Sequence, residues 1–323
     1  MARRREPCCC DMKALRAELD RRARGGRGGG MARARADRER GGPLAGLPTE
    51  ALVRTLRDLQ RAIYGTDDRR DLYQVTEPGL LRVADSVAAL VEVSDLHRTR
   101  AGRYRLSTTR YREDYELCDS EPFVDQPLGC SCTGFLVAPD VIATAGHCVR
   151  STRGLRKIRF VFGFRMLGKR RARTEFGAND IYEGAELLAR EEEETGADWA
   201  LVRLTRPVRG RTPLRVRSSG KIADGRRVFV VGHPNGLPAK LAGGARVRNN
   251  RRRTFFLANL DTYGGNSGSP VLDARTHVVE GILVRGEDDF VKNGECYVSL
   301  VCADAGCQGE AVTRSTVWAA SIP

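Results

Sequence analysis

Three short stretches of the chain hold residue types that can do chemistry: "TAGHC" at 144–148, "ADWALVRL" at 197–204 and "DTYGGNSGSP" at 261–270. A serine hydroxyl such as that of Ser267 is a weak nucleophile until a base takes its proton. His147 is suited to that task, because imidazole titrates near neutrality and can pass the proton on to a leaving group. A carboxylate such as Asp198 can hold the ring in one tautomer and stabilise its charged form. Gly264 and Gly268 give the serine segment the backbone freedom that a tight loop needs. Each stretch alone also has a plain reading: a structural histidine, a strand-edge charge and a polar turn. Of the other histidines, His97 and His277 sit in polar, turn-like surroundings and read as surface residues. His233, in "VVGHPNGLPAK", reads as a loop residue after a strand, with a substrate-cleft contact as its functional alternative.

The elements that must position these residues are short. "SVAALVEV" (86–93), "TGFLV" (133–137), "IRFVFGF" (158–164) and "WALVRL" (199–204) are β-like runs between turn clusters. "RRVFVVG" (226–232), "TFFLANL" (254–260), "SPVLD" (269–273) and "VVEGILVRG" (278–286) continue the pattern. Many short strands with regular turns imply an all-β sandwich or barrel. "PTEALVRTLRDLQRAIYG" (48–65) has near-helical apolar spacing behind Thr49 and predicts a helix ending near Gly65. "EAVTRSTVWAAS" (310–321) is a weaker candidate for a closing helix, because of its β-branched residues. Residues 1–46 are rich in Arg and Gly and are expected to be disordered.

The three stretches together, in the order His, Asp, Ser, resemble the trypsin/chymotrypsin-like serine peptidases. The similarity is greatest to the bacterial branch that includes the glutamyl endopeptidases, in which "GNSGSP" carries Asn before the nucleophile. The order differs from that of subtilisins and α/β-hydrolases. The resemblance covers roughly residues 62–310. It implies two packed antiparallel six-stranded barrels, one at about 80–210 and one at about 211–310, in a peptidase domain over 62–323. Residues 1–61 would form a basic, removable extension, cleaved near Arg61. The implied reaction is peptide-bond hydrolysis through an acyl-enzyme, with His147, Asp198 and Ser267 as the triad and no cofactor or metal. The N–H groups of Gly265 and Ser267 would form the oxyanion hole.

Asp261, six residues before Ser267, matches the position whose acid selects Arg or Lys in trypsin-like enzymes, so a basic P1 preference is expected. The competing reading is that Asp261 caps the turn. Glutamyl endopeptidases place a His on the strand after the nucleophile, and Leu283 stands at that position here, which disfavours glutamate specificity. Arg285 remains a candidate to recruit an acidic side chain. Asn266 cannot form the ion pair by which animal members of the family bind their new N-terminus. The family disulfide that ties a strand to the catalytic His loop maps onto Cys132 and Cys148. Cys302 could pair with Cys307, with Cys296 as a competitor, which leaves Cys118 and Cys130 to each other or to that C-terminal group.

The net charge is +14, and more than half of the excess lies in residues 1–61. Runs such as "GKRRAR" (168–173) and "RNNRRR" (248–253) read as solvated loops, and no nucleic-acid-binding motif accompanies them. "EEEE" at 191–194 reads as an exposed acidic loop rather than a calcium site. The cysteine spacings do not form the paired short intervals of a zinc site. No stretch reaches the ~18 apolar residues of a membrane helix. The disulfides imply an oxidising compartment, secreted or periplasmic. The start of the sequence has no recognisable export signal. The expected partner is a protein or peptide substrate, with the enzyme a monomer. The rival expectation is a non-catalytic peptide- or polyanion-binding protein on the same fold.

Overall fold

A computed structural model describes residues 62–193, 196–286, 289–303 and 306–323. The chain enters through two short strands, β1 (Ile63–Tyr64) and β2 (Arg69–Asp71). A first sheet follows from β3 (Val87–Glu92), β4 (Cys132–Ala138), β5 (Val141–Thr144), β6 (Ile158–Phe162), β7 (Ile181–Tyr182), β8 (Gly184–Glu192) and β9 (Asp198–Leu204). Its order is β7-β6-β3-β4-β5-β9-β8. The second half contributes β10 (Val228–Gly232), β11 (Lys240–Ala242), β12 (Val247–Asn249), β13 (Phe255–Ala258), β14 (Pro270–Asp273) and β15 (Val279–Arg285). After β16 (Val301–Cys302) it ends with β17 (Glu310–Arg314). The second sheet runs β12-β13-β17-β15-β14-β10-β11-β2. An antiparallel bridge between Arg227 and Arg246 brings the strand after β11 back to the start of β10.

The result is the expected pair of curled antiparallel half-barrels. Each sheet counts more than six strands, because two- and three-residue strands such as β7 and β2 extend its edges. The near-continuous apolar runs follow from burial on both faces. On β9, Val202 and Leu204 fill the first barrel while Trp199 and Leu201 point into a shared core. On β10, Val228 and Val230 fill the second barrel while Phe229 and Val231 join that same shared core. On β15, Leu283 points into the second barrel, with Ile282 and Val284 in the shared layer. A fully buried side chain of this kind contributes about 1.5–3 kcal/mol, so the layer between the barrels is a strong clamp.

The entry of the chain differs from expectation. The helix expected over 48–65 falls mostly outside the described residues, but Ile63 and Tyr64 at its end are extended. They pair in parallel with Val301 and Cys302. β2 then pairs antiparallel with β11, so residues 69–71 belong to the second sheet although they precede the first. Helical spacing gives way to long-range pairing here, a common override of local propensity. Buried polar contacts hold the strand: Lys240 Nζ lies 2.7 Å from Asp71 Oδ1 and donates to Gln126 Oε1 at 2.7 Å. The closing segment also divides. Glu310–Arg314 is a buried strand, and only Ser315–Trp318 is α-helical, packing Trp318 into the shared core.

Candidate active site

β5 and β9 lie side by side, with Thr144 opposite Ala200, so the residues just beyond their adjacent ends are neighbours. His147 stands on the turn Gly146–Cys148 after β5, and Asp198 is the first residue of β9. Gly146 is required at this crossing, because a Cβ there would lie 2.2 Å from the Glu191 carbonyl oxygen. The Cys132–Cys148 disulfide forms as expected and ties β4 to the turn. His147 Nδ1 donates to Asp198 Oδ2 at 2.6 Å, and the His147 backbone N–H donates to Oδ1 at 3.2 Å. Asp198 is 2 % exposed, and its own N–H donates to Thr313 Oγ1 on β17 at 3.1 Å. Burial pushes its carboxyl up, but the His147 ring, the hydrogen bonds from His147 and the Arg285 charge together hold it below the usual carboxylate range. His147 Nε2 is buried with no hydrogen-bond partner among the described residues. That nitrogen is the one an attacking hydroxyl would need.

Ser267 reaches the same place from the other barrel. The Ser267 carbonyl accepts the Thr133 N–H at 2.9 Å and lies 3.6 Å from Cys148 Sγ, next to His147. Thr133 Oγ1 donates to the Gly265 carbonyl at 2.9 Å. The Gly268 N–H donates to the Leu283 carbonyl, and the Leu283 N–H to the Ser269 carbonyl, which pins the loop to β15. Gly268 has φ 89°, and a Cβ on it would lie 2.0 Å from the Thr133 carbonyl oxygen. Gly265 has φ 74°, in the left-handed region that glycine tolerates. The loop residues are thus fixed by backbone contacts on three sides, with Ser267 itself 1 % exposed.

The expected specificity residues are used differently. Asp261 does not stand as a free acid at a pocket floor. Its Oδ1 accepts the Tyr64 N–H and its Oδ2 the Asp68 N–H, both at 2.7 Å. The capping reading is therefore the nearer one, although the capped segment is the chain entry rather than the local turn. Burial pushes the Asp261 carboxyl up to about 7, against the pull of those two N–H groups and with the Asp67 and Asp68 charges adding to the rise. Leu283 offers substrate no side chain, because it lies inside the second core. Arg285 is not available to an acidic substrate, since its guanidinium donates to the carbonyls of Glu193 and Gly196. Asn266 keeps to its own loop, where its Oδ1 accepts from Ser269 Oγ.

Other acids surround the loop that the motif reading did not single out. Glu310, at the start of β17, is fully buried and accepts from Thr262 Oγ1 at 3.0 Å. Its carboxyl faces the backbone of Gly286, where a Cβ would come within 2.1 Å of Oε2. Asp289, also fully buried, accepts the Gly264 N–H at 3.1 Å. A glutamate heading a strand buried along its whole length, "EAVTR", is what marks Glu310. His233 stacks on Phe164 with its Nδ1 on the Leu237 carbonyl, and burial pushes its ring down to about 4, so it is a neutral structural residue. Of the acidic run, Glu191 and Glu192 are part of β8, where Glu191 accepts from Trp199 Nε1 and Glu192 faces Arg150 and Arg190. Two further disulfides join Cys118 to Cys296 and Cys302 to Cys307, and Cys130 has no disulfide partner among the described residues.

A family model described as a trypsin-like peptidase domain matches residues 132–282. No curated protein matches the sequence. Among solved structures, a Glu endopeptidase in complex with MPD is 17% identical, with a TM-score of 0.47 over 80% of this chain and 97% of that one. The inactive form of a serine-to-alanine mutant of Rv3671c from M. tuberculosis H37Rv is 14% identical, with a TM-score of 0.43 over 81% of this chain and 95% of that one. The matched span begins on β4, beside the histidine turn, and runs through β9 and the serine loop into β15. Residues 132–282, which carry the histidine turn, the start of β9 and the serine loop, are thus similar to a trypsin-like peptidase domain.

Proposed function

We propose that the protein is a serine endopeptidase that cleaves peptide bonds through an acyl-enzyme on Ser267. One observation carries the reading: His147 is oriented by Asp198 at 2.6 Å while its Nε2 is buried, with no partner among the described residues, beside the serine loop. Ser267 Oγ attacks the scissile carbonyl carbon as His147 Nε2 takes the hydroxyl proton. The carbonyl oxygen becomes an oxyanion facing the N–H groups of Gly265 and Ser267. Donors of this kind are worth ~10²–10³ in rate each. His147 then gives the proton to the departing amine, leaving an ester on Ser267. Water repeats the sequence, and its proton passes through His147 back to Ser267. Asp198 stays ionised throughout and stabilises the charged ring.

A basic P1 side chain stays within the proposal, on different grounds. Support comes from Glu310, a buried carboxylate that accepts from Thr262 Oγ1, ahead of Ser267, and from the Tyr64 hydroxyl, and lies against Gly286 beyond β15. A buried carboxylate there matches a cationic side chain by charge-assisted hydrogen bonding. Residues 1–61 are proposed to be removed near Arg61, leaving Ala62, fully buried, to lead the segment docked on Asp261. The three disulfides favour an extracellular or periplasmic setting. A fluorophosphonate probe tests the central claim, with modification expected at Ser267 in wild type and none in Ser267→Ala. An unmodified wild-type Ser267 in processed protein would refute it. Glu310→Gln should cut cleavage after Arg and Lys at least tenfold relative to other residues in a peptide library; an unchanged profile removes Glu310 from specificity.

A further inference from the structure

β15 ends on Arg285, and this side chain crosses from the second barrel to the first. One guanidinium nitrogen donates to the Glu193 carbonyl at 3.0 Å, the other to the Gly196 carbonyl at 2.6 Å. Both carbonyls belong to the connection between β8 and β9, and the Glu193 N–H closes it by donating to the Ala197 carbonyl at 2.8 Å. Asp198 is the next residue. Simple strand alternation would send Arg285 to the same side as Leu283, into the second core. A register shift between Leu283 and Arg285 in the pairing with β17 breaks that alternation. Irregularities of this kind re-aim side chains beside functional sites.

We infer that Arg285 is a positioning residue for the His147–Asp198 pair, a strut between the barrels that sets where Asp198 starts its strand and how tightly the pair holds a proton. The inference rests on the roles proposed above for His147, Asp198 and Ser267. Arginine suits the task because its planar fork serves two carbonyls at once and never loses its charge. That charge is one of the influences keeping the Asp198 carboxyl low, behind the His147 ring and its hydrogen bond. The other charged groups around the pair come from β8 and from the segment after the histidine turn. Arg190 on β8 donates to the Gly146 carbonyl, and both it and Arg150 are answered by Glu192. Glu191 on β8 is engaged by Trp199. Arg285, by contrast, meets two carbonyls and the Phe255 ring and has no carboxylate ion-paired with it among the described residues, so no facing acid offsets its charge at the pair.

The test compares wild type, Arg285→Met and Arg285→Lys in the processed protein, following kcat and KM for a peptide substrate across pH. Removing the charge makes the pair hold a proton more tightly, so the acidic limb of kcat/KM should move up by roughly half a pH unit in Arg285→Met. Its kcat should fall roughly tenfold with KM nearly unchanged, because the pair rather than the substrate is displaced. Arg285→Lys keeps the charge and loses the fork, so its limb should stay in place while kcat falls less. Should Arg285→Met fail to fold, Arg285→Gln, neutral but still a donor, should show the same limb shift. A loss of kcat in the neutral variant with an unmoved limb overturns the inference, since structural support alone would do that. So does a neutral variant with wild-type kcat and limb. Failure of the underlying peptidase reading shows separately, as an unlabelled Ser267 in the wild-type protein.

Discussion

Asp261→Asn tests how the chain entry is held. The Asp261 carboxyl moves from an ordinary value of 3.8 to about 7 on folding, a rise of about 3 units. At about 1.36 kcal/mol per unit, that is about 4 kcal/mol of differential stability between the protonated and ionised forms. A carboxyl raised on folding binds a proton in the folded state, so its contribution is fully present below pH 3.8, falls as pH rises towards 7, and is gone above it. Asparagine carries no such penalty. Its single amide oxygen, however, can serve only one of the two N–H groups from Tyr64 and Asp68. The unserved one costs about 1–3 kcal/mol at every pH. The variant should therefore be the less stable protein near pH 4 and draw level with or pass wild type by pH 8. Guanidinium chloride unfolding of both proteins at pH 4.5, 6 and 8 reads this directly. Between pH 4.5 and 8 the gap should move by about 3 kcal/mol in favour of the variant, or on the order of 10 °C in Tm. A gap that stays constant with pH would mean that the two N–H groups keep the carboxylate ionised, and the reasoning from burial would fail.

Asp198→Asn should lower kcat by about 10⁴ while leaving Tm close to wild type, because the ring loses its tautomer rather than its place; steady-state kinetics beside a thermal melt checks both halves. Replacing Cys132 and Cys148 together by serine should cost about 3 kcal/mol in denaturant unfolding, from a bridge closing a 16-residue separation. Lys240→Met should cost about 3–5 kcal/mol, since it strands the Asp71 carboxylate, whose side chain is 4% exposed, without its 2.7 Å partner. A double variant with Asp71→Leu should recover much of that loss in the same unfolding assay.

The barrels were legible because buried strands leave short-range marks, and the candidate residues His147, Asp198 and Ser267 could be singled out because each sits in a recognisable short stretch. Strands buried on two faces must read as unbroken apolar runs, and "VAALV" or "VFVV" cannot satisfy a solvent-facing register. His147 and Ser267 each sit beside a glycine demanded by close packing, Gly146 against Glu191 and Gly268 against Thr133. What surrounds Ser267 is decided at longer range. The partners of Asp261 lie 197 and 193 residues earlier, and the partner of Cys118 lies 178 residues later. Helical spacing in 48–65 gives no hint that Tyr64 will arrive extended beside Asp261, and nothing in "GILVRG" announces the register shift that turns Arg285 outward. Matching Asp261 to a specificity position assumes that an acid six residues before the nucleophile faces an empty pocket. That assumption holds only if no other part of the chain reaches it first, and here two backbone N–H groups do. The serine loop can therefore be picked out by motif, because the close approaches that fix it demand glycines at set places in the stretch itself. The floor beneath it cannot, because its chemistry depends on which distant segment is packed there.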